Sequence, residues 1–158
     1  MIKIEQMTPS HYEEVCDLSV SQEQMQYVGD INEILCLIST AVHPNVILAD
    51  GAVVGFFLTD MTYQHAYDFC EAGTLGFRAF FIDQRFQGQG LGTRAMSVIK
   101  SFIQSTYPAF NWLYLTVNCK NPVARHCYEK VGFEDTQTFY YGGNAGPQHI
   151  MRLGLHAC

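Results

Sequence analysis

Three glycines alternate at positions 88, 90 and 92, in the run Gln84-Arg85-Phe86-Gln87-Gly88-Gln89-Gly90-Leu91-Gly92. An apolar, strand-like stretch over residues 74–83 precedes it. A helical stripe follows, with Ala95, Val98, Ile99, Phe102 and Ile103 at i, i+3, i+4, i+7 and i+8. Glycine adopts positive φ readily and lets a ligand approach the main chain. The first N–H groups of a helix lack internal partners and carry the positive end of its dipole. A glycine loop that opens a helix therefore suits a phosphate or pyrophosphate. The plainer alternative is a turn whose glycines serve only the backbone. A P-loop would need Gly-Lys-Ser/Thr, which is absent, and the dinucleotide pattern Gly-x-Gly-x-x-Gly fails at Thr93.

A second constellation begins about 30 residues on: Asn121-Pro122-Val123-Ala124-Arg125-His126-Cys127-Tyr128-Glu129-Lys130-Val131-Gly132-Phe133. Asn121 reads as a helix cap, Pro122 as the first helical residue and Gly132 as the C-terminal stop. Ala124 and Tyr128 are four apart and share a face. The small side chain leaves room for a narrow ligand, and a tyrosine hydroxyl, protonated at neutral pH, can donate a proton beside it. Tyr128 can equally be read as a core aromatic.

Other chemistries find little support. Six histidines and six cysteines show neither zinc-ligand spacing nor a Cys-x-x-Cys pair, so no metal is expected. His126 and Cys127 are adjacent and point apart on a helix. The cysteines, mostly in apolar runs, read as reduced residues of a cytoplasmic protein. No run approaches the ~18 apolar residues of a membrane span, and residues 1–6 lack a signal-peptide core.

The chain of 158 residues is 48 % hydrophobic and 15 % charged, enough for a single domain (1–158) with a sizeable core. Its net charge of −6 argues against a nucleic-acid partner. That charge is unevenly spread: residues 1–75 carry eleven acids against Lys3 alone, while residues 76–130 carry seven bases against two acids.

The positioning elements can be read from pattern. A strand is expected over residues 2–7, then a helix after Thr8-Pro9 to about Leu18, and a second helix over 30–42 ended by His43-Pro44. Strands over 46–49 and 52–61 flank an Asp50-Gly51 hairpin turn. Residues 62–73 read as a loop or hairpin tip. A strand over 74–83, the helix after Gly90, a strand over 112–118, the helix from Asn121, and strands over 133–141 and 149–155 complete the order βααβββαβαββ, a mixed α/β domain.

This order and both motifs resemble the GNAT family of N-acetyltransferases. The family's Gln/Arg-x-x-Gly-x-Gly/Ala loop is matched twice, from Arg85 to Gly90 and from Gln87 to Gly92, and its Asn-x-x-Ala-x-x-x-Tyr-x-x-x-Gly-Phe signature from Asn121 to Phe133. The resemblance covers the whole chain in element order and is motif-specific over about residues 80–133. It implies a mostly antiparallel central sheet splayed between the fourth and fifth strands, and acetyl-CoA as co-substrate. Backbone amides of Gln87, Gly88, Gln89, Gly90, Leu91, Gly92 and Thr93 would hold the pyrophosphate. Phe80, Phe81 and Ile82 would pair with the pantetheine arm, and an N–H near Phe80 or Phe81 would polarise the thioester. Ala124 would border the arm and Asn121 would cap the helix. Asn118 would bind the arm or the acceptor. Tyr128 would protonate the leaving thiolate, with no covalent enzyme intermediate.

The usual fourth-strand glutamate is missing, since residues 74–82 hold no acid; Glu71 and Asp68 are the nearest candidate bases, alongside a water chain. Arg125 and Lys120 are candidates for the 3′-phosphate, with solvated surface charge as the alternative. The acceptor is expected to be a small, cationic amine. Residues 20–35, with Glu23, Asp30 and Glu33, resemble a segment of bacterial spermine/spermidine acetyltransferases, which points to a polyamine. Amino acids, peptide N-termini, aminoglycoside-like amines and a non-catalytic acyl-CoA sensor remain as alternatives. Homodimers are common in the family, but no seam is legible.

Overall fold

The computed structural model describes residues 1–21, 25, 27–143 and 145–156; Glu23, Asn144 and Cys158 lie outside the described residues. Seven strands form one sheet: β1 (Ile2–Gln6), β2 (Val42–Ala49), β3 (Ala52–Asp60), β4 (Thr74–Ile82), β5 (Trp112–Asn118), β6 (Glu134–Tyr140) and β7 (Gln148–Gly154), in the order β1-β2-β3-β4-β5-β7-β6. Among the described residues, the α-helices with defined bounds are α1 (Tyr12–Cys16), α2 (Ile31–Leu35), α3 (Tyr63–Ala66), α4 (Leu91–Thr106) and α5 (Pro122–Lys130). Every strand pair is antiparallel except β4–β5, which are joined by the α4 crossover that a parallel pair requires. The α/β class and the splayed, mostly antiparallel sheet are as the sequence implies.

Two apolar layers cover the sheet. On one face α4 buries Ala95, Ile99 and Ile103 against Leu75, Leu113 and Leu115, with Tyr128 of α5 in the same cluster. On the other, Val15 of α1 and Ile34 of α2 pack on Val46, Phe56 and Leu58. Asp50 and Gly51 both take positive φ (50° and 87°), the pattern of a tight two-residue hairpin turn.

The sequence expectation of a helix over 30–42 needs correction. α2 ends at Leu35, and β2 already begins at Val42. The Ser39 hydroxyl accepts from the Ala41 and Val42 N–H groups, both at 3.2 Å, so a side-chain turn replaces the helix. Pro44 is tolerated inside β2. Its carbonyl accepts from Met7 N on the β1 side, just past the end of β1 at Gln6, so the missing proline N–H falls where that pairing runs out. The expected loop 62–73 also contains the short α3, tied to β4 by Gln64 Oε1, which accepts from Gly73 N and Thr74 N.

Two irregularities in β4 open the sheet. It pairs with β5 only through Thr74, Leu75 and Gly76 against Trp112, Leu113 and Tyr114. Gly76, the last of these, lies under the Tyr63 ring so closely that a Cβ would overlap it. Against β3 the partners run Phe56–Phe81 and then Leu58–Arg78, so Phe57 faces both Ala79 and Phe80. This is a bulge, and Ala79 takes φ 57° to make it.

Candidate active site

The separation of β4 from β5 opens two clefts that meet at the bulge. The first, about 410 Å³, is walled by Phe80, Phe81 and Ile82 of β4, by the glycine loop, and by Ala124 and Cys127 of α5. The second, about 350 Å³, is walled by Phe77, Arg78 and Ala79 of β4, by Thr116, Val117 and Asn118 of β5, and by Tyr63 and Tyr67. Ala79 faces one cleft and Phe80 the other, while Val28 borders both. Tyr27, from the same N-terminal segment, reaches across to donate its hydroxyl to the Lys120 carbonyl at 3.4 Å.

The loop beneath the first cleft is held by its ends. Asp83 is fully buried. One of its carboxylate oxygens accepts from Ser19 N at 2.9 Å, and the other from Arg85 N at 2.8 Å and Arg85 Nε at 2.9 Å. Burial alone would push the Asp83 carboxyl up. The Arg85 hydrogen bonds and the Ser19 N–H outweigh it and hold the group below the usual carboxylate range. Gln87 Nε2 reaches back to the Ile82 carbonyl at 3.0 Å.

Gly88 and Gly90 take φ 81° and 74°, and a Cβ on either would meet nothing within 4 Å. The glycines are there for backbone conformation and for the open space above them. Gly90 starts α4 with no side-chain cap, and the first intrahelical bond is Arg94 N to Gly90 O. The N–H groups of residues 91–93 are thus left for a ligand, at the positive end of a 16-residue helix.

Tyr128 is buried behind the walls of the two clefts and lines neither. Its ring packs on Phe77, Phe80 and Phe133 at centroid distances of 6.2, 6.1 and 5.6 Å. Phe77 walls the second cleft and Phe80 the first. Burial, with the neighbouring Cys127 thiol, pushes the Tyr128 hydroxyl above the ordinary tyrosine value. No described residue hydrogen-bonds that hydroxyl.

The structure brings most of the expected residues together. Phe80, Phe81, Ile82, Gln87, Gly88, Gly90, Leu91, Gly92, Thr93 and Ala124 line the first cleft, and Asn118 lines the second. Gln89 is exposed on the loop. Asn121 is the expected helix cap, its side chain accepting from Ala124 N at 3.4 Å.

Arg125, Glu71 and Asp68 are elsewhere. Arg125 faces away from the first cleft and donates to Asp135 at 2.6 Å, with Glu129 nearby. Glu71 lies outside both clefts, paired with Arg152 at 3.1 Å, and Asp68 is exposed. Lys130 and His126 border the first cleft in Arg125's stead. Sequence spacing carries a signal for Lys130: Val123, Cys127 and Lys130 recur at four and three along one helical face. Arg78, Tyr63 and Tyr67 had no comparable signal, because the sheet alone brings them together. Among the described residues no three His, Cys, Asp or Glu could hold a metal ion, and no helix is long and apolar enough to cross a membrane.

Comparison with known proteins agrees with this geometry. The family model described as "Acetyltransferase (GNAT) family" matches residues 7–133. The spermine/spermidine N(1)-acetyltransferase of Bacillus subtilis is 27 % identical over 137 residues, covering 84 % of this chain and 88 % of that protein. Among solved structures, aminoglycoside acetyltransferase AAC(6')-Ib in complex with paromomycin and acetyl-CoA superposes with TM-score 0.76 at 18 % identity, covering 97 % of this chain and 93 % of that one. Spermidine N-acetyltransferase from Vibrio cholerae, in complex with CoA and spermine, gives 0.70 at 18 % identity, covering 98 % and 95 %.

Proposed function

The chain belongs to the acetyltransferase (GNAT) family, and on that premise we propose that it transfers an acetyl group from acetyl-CoA directly to a primary amine. The observation that carries this reading is the junction at Ala79 and Phe80, where a cleft floored by the glycine loop meets a second, polar cleft, with the Tyr128 ring packed behind Phe77 and Phe80. The residues present fit acetyl-CoA. Unpaired helix N–H groups suit its pyrophosphate, Lys130 offers a cation, and the apolar wall of Phe80, Leu91 and Ala124 suits a narrow arm.

Acetyl-CoA supplies the acyl group as a thioester. The protein's part is to hold, polarise and protonate. Backbone N–H groups released at the bulge, near Phe80, face the developing charge on the carbonyl oxygen. Tyr128 Oη donates its proton to the departing sulfur; its raised pKa keeps that proton in place across the neutral range. The aromatic and apolar walls keep water from the thioester. The attacking amine loses its proton to water in the second cleft. No carboxylate lines that cleft among the described residues, and Glu71 is spent on Arg152.

A polyamine acceptor is a second reading, supported by the Bacillus relative's name and by the acidic balance of residues 1–75. The test is thiol release from acetyl-CoA over a panel of amines. Release with at least one amine supports the reading. Acetyl-CoA binding without release for any amine indicates a sensor, and absence of acetyl-CoA binding by calorimetry removes the reading altogether.

A further inference from the structure

We propose that the acceptor amine also carries a carboxylate, and that Arg78 is its specificity-determining partner; this rests on the acetyl-transfer reading above. Arg78 is the one charged side chain among the described residues lining the second cleft, and it is adjacent in sequence to the bulge residue Ala79. Its surroundings fix it in place. In the β3–β4 register Leu58 faces Arg78 and Asp60 faces Gly76, so Asp60 is Arg78's diagonal neighbour. Asp60 is buried, with 3 % of its surface exposed. One carboxylate oxygen accepts from Thr62 N and Thr62 Oγ1 at 2.8 and 2.6 Å, and the other from Arg78 Nη1 at 2.9 Å.

Asp60 thus holds one edge of the guanidinium from behind and is itself used up. The remaining N–H groups of Arg78 have no described partner, and the side chain is 33 % exposed. A guanidinium is a planar fork that matches a carboxylate with two parallel hydrogen bonds. Around it stand Tyr63, Tyr67, Phe77 and Asn118, aromatic and neutral. A polycation entering this cleft meets a fixed positive charge and, among the described residues, no acid to pair with. A zwitterionic amine meets an anchor for one end and the Tyr128 junction for the other.

The test compares amines that differ only by the carboxylate: L-lysine with cadaverine, and L-ornithine with putrescine, with spermidine alongside. The readout is thiol release from acetyl-CoA by the wild-type protein. The carboxylate-bearing member of each pair should be preferred in kcat/KM by about tenfold or more, as expected of a charge-assisted bidentate contact. In Arg78→Met/Asp60→Leu, which removes both partners and strands no buried charge, that ratio should fall toward one. Acetyl-CoA calorimetry establishes that the double variant is folded; if it is not, the wild-type ratios alone decide. Equal or better use of cadaverine, putrescine or spermidine by the wild type overturns the carboxylate proposal and leaves acetyl transfer standing. No release from any amine overturns both.

Discussion

Replacing Tyr128 by phenylalanine isolates one hydroxyl. The ring contacts to Phe77, Phe80 and Phe133 persist in the variant, because the aromatic ring is unchanged. The lost oxygen has no hydrogen bond to any described residue, so folding gives up no internal bond. Stability should therefore change by less than about 1 kcal/mol, the net worth of one hydrogen bond. For a domain of this size that is a shift of roughly 2–4 °C at most. An alanine would be a poor probe, since truncating a buried aromatic costs about 3–5 kcal/mol and would collapse the junction.

The kinetic effect should be far larger. A positioned general acid contributes about 10²–10⁴ in rate, equivalent to roughly 2.7–5.4 kcal/mol of barrier. Thiol release under saturating acetyl-CoA should fall by that factor, while acetyl-CoA affinity by calorimetry stays within about twofold. Burial raises the Tyr128 pKa above its ordinary value near 10, which favours the protonated donor. The wild-type rate should consequently show no alkaline loss from this group below about pH 10. If Tyr128→Phe keeps turnover within threefold of wild type at unchanged fold, another group protonates the thiolate and the assigned role is wrong.

The loop and its supports carry further expectations. Gly90→Ala should cost about 1–2 kcal/mol in stability, because φ 74° is unfavourable for a residue with Cβ; it should also weaken acetyl-CoA binding by at least about tenfold, since the methyl enters the open anion site. Thermal melts and calorimetry read the two effects separately. Lys130→Glu should weaken acetyl-CoA binding several-fold, whereas Arg125→Glu should leave it nearly unchanged, because Arg125 is turned toward Asp135; comparable losses in both would contradict the placement. Asp83→Asn should destabilise at pH 7 by about 1–3 kcal/mol through weakened bonds to Arg85 and Ser19. Asp83's folded pKa is depressed, so its contribution is full above the unfolded value near 4 and disappears as pH falls through the folded value. The wild type and Asp83→Asn should therefore melt alike at sufficiently low pH.

Local chemistry was readable from the chain, and side-by-side placement was not. The glycine loop and the Asn121-to-Phe133 helix declare themselves because each is set by spacing within one element. Arg125 misled for the same reason: it adjoins Ala124 in sequence, yet one residue along a helix turns the side chain to a different face, where Asp135 of β6 takes it. Glu71 misled through distance. It precedes Thr74 closely, but the bulge at Ala79 lies five residues further along an extended strand, roughly 17 Å at ~3.3 Å per residue. Arg78 carries no signal in the sequence, because its meaning comes from Asp60 across the sheet and from the departure of β5 after Tyr114. Neither is a periodicity that a strand sequence displays.

Ala79 ties these levels together. A left-handed conformation at a residue with Cβ is unfavourable by about 1–2 kcal/mol, and glycine would remove that penalty. The surrounding packing over-determines it instead. On the β3 side Gly55 has no Cβ, and an added one would lie 2.7 Å from the Phe81 carbonyl, so β4 can press close just beyond the bulge. On the β5 side pairing has already stopped at Gly76, where the Tyr63 ring occupies the space above the strand. Between these two close contacts β4 must take in one extra residue. The kink turns Phe80 toward the glycine loop while Arg78 and Ala79 face the polar cleft. Strain held at one point by packing on both sides is the kind found where a fold positions reacting groups. Here it separates the expected donor channel from the expected acceptor channel along a single strand.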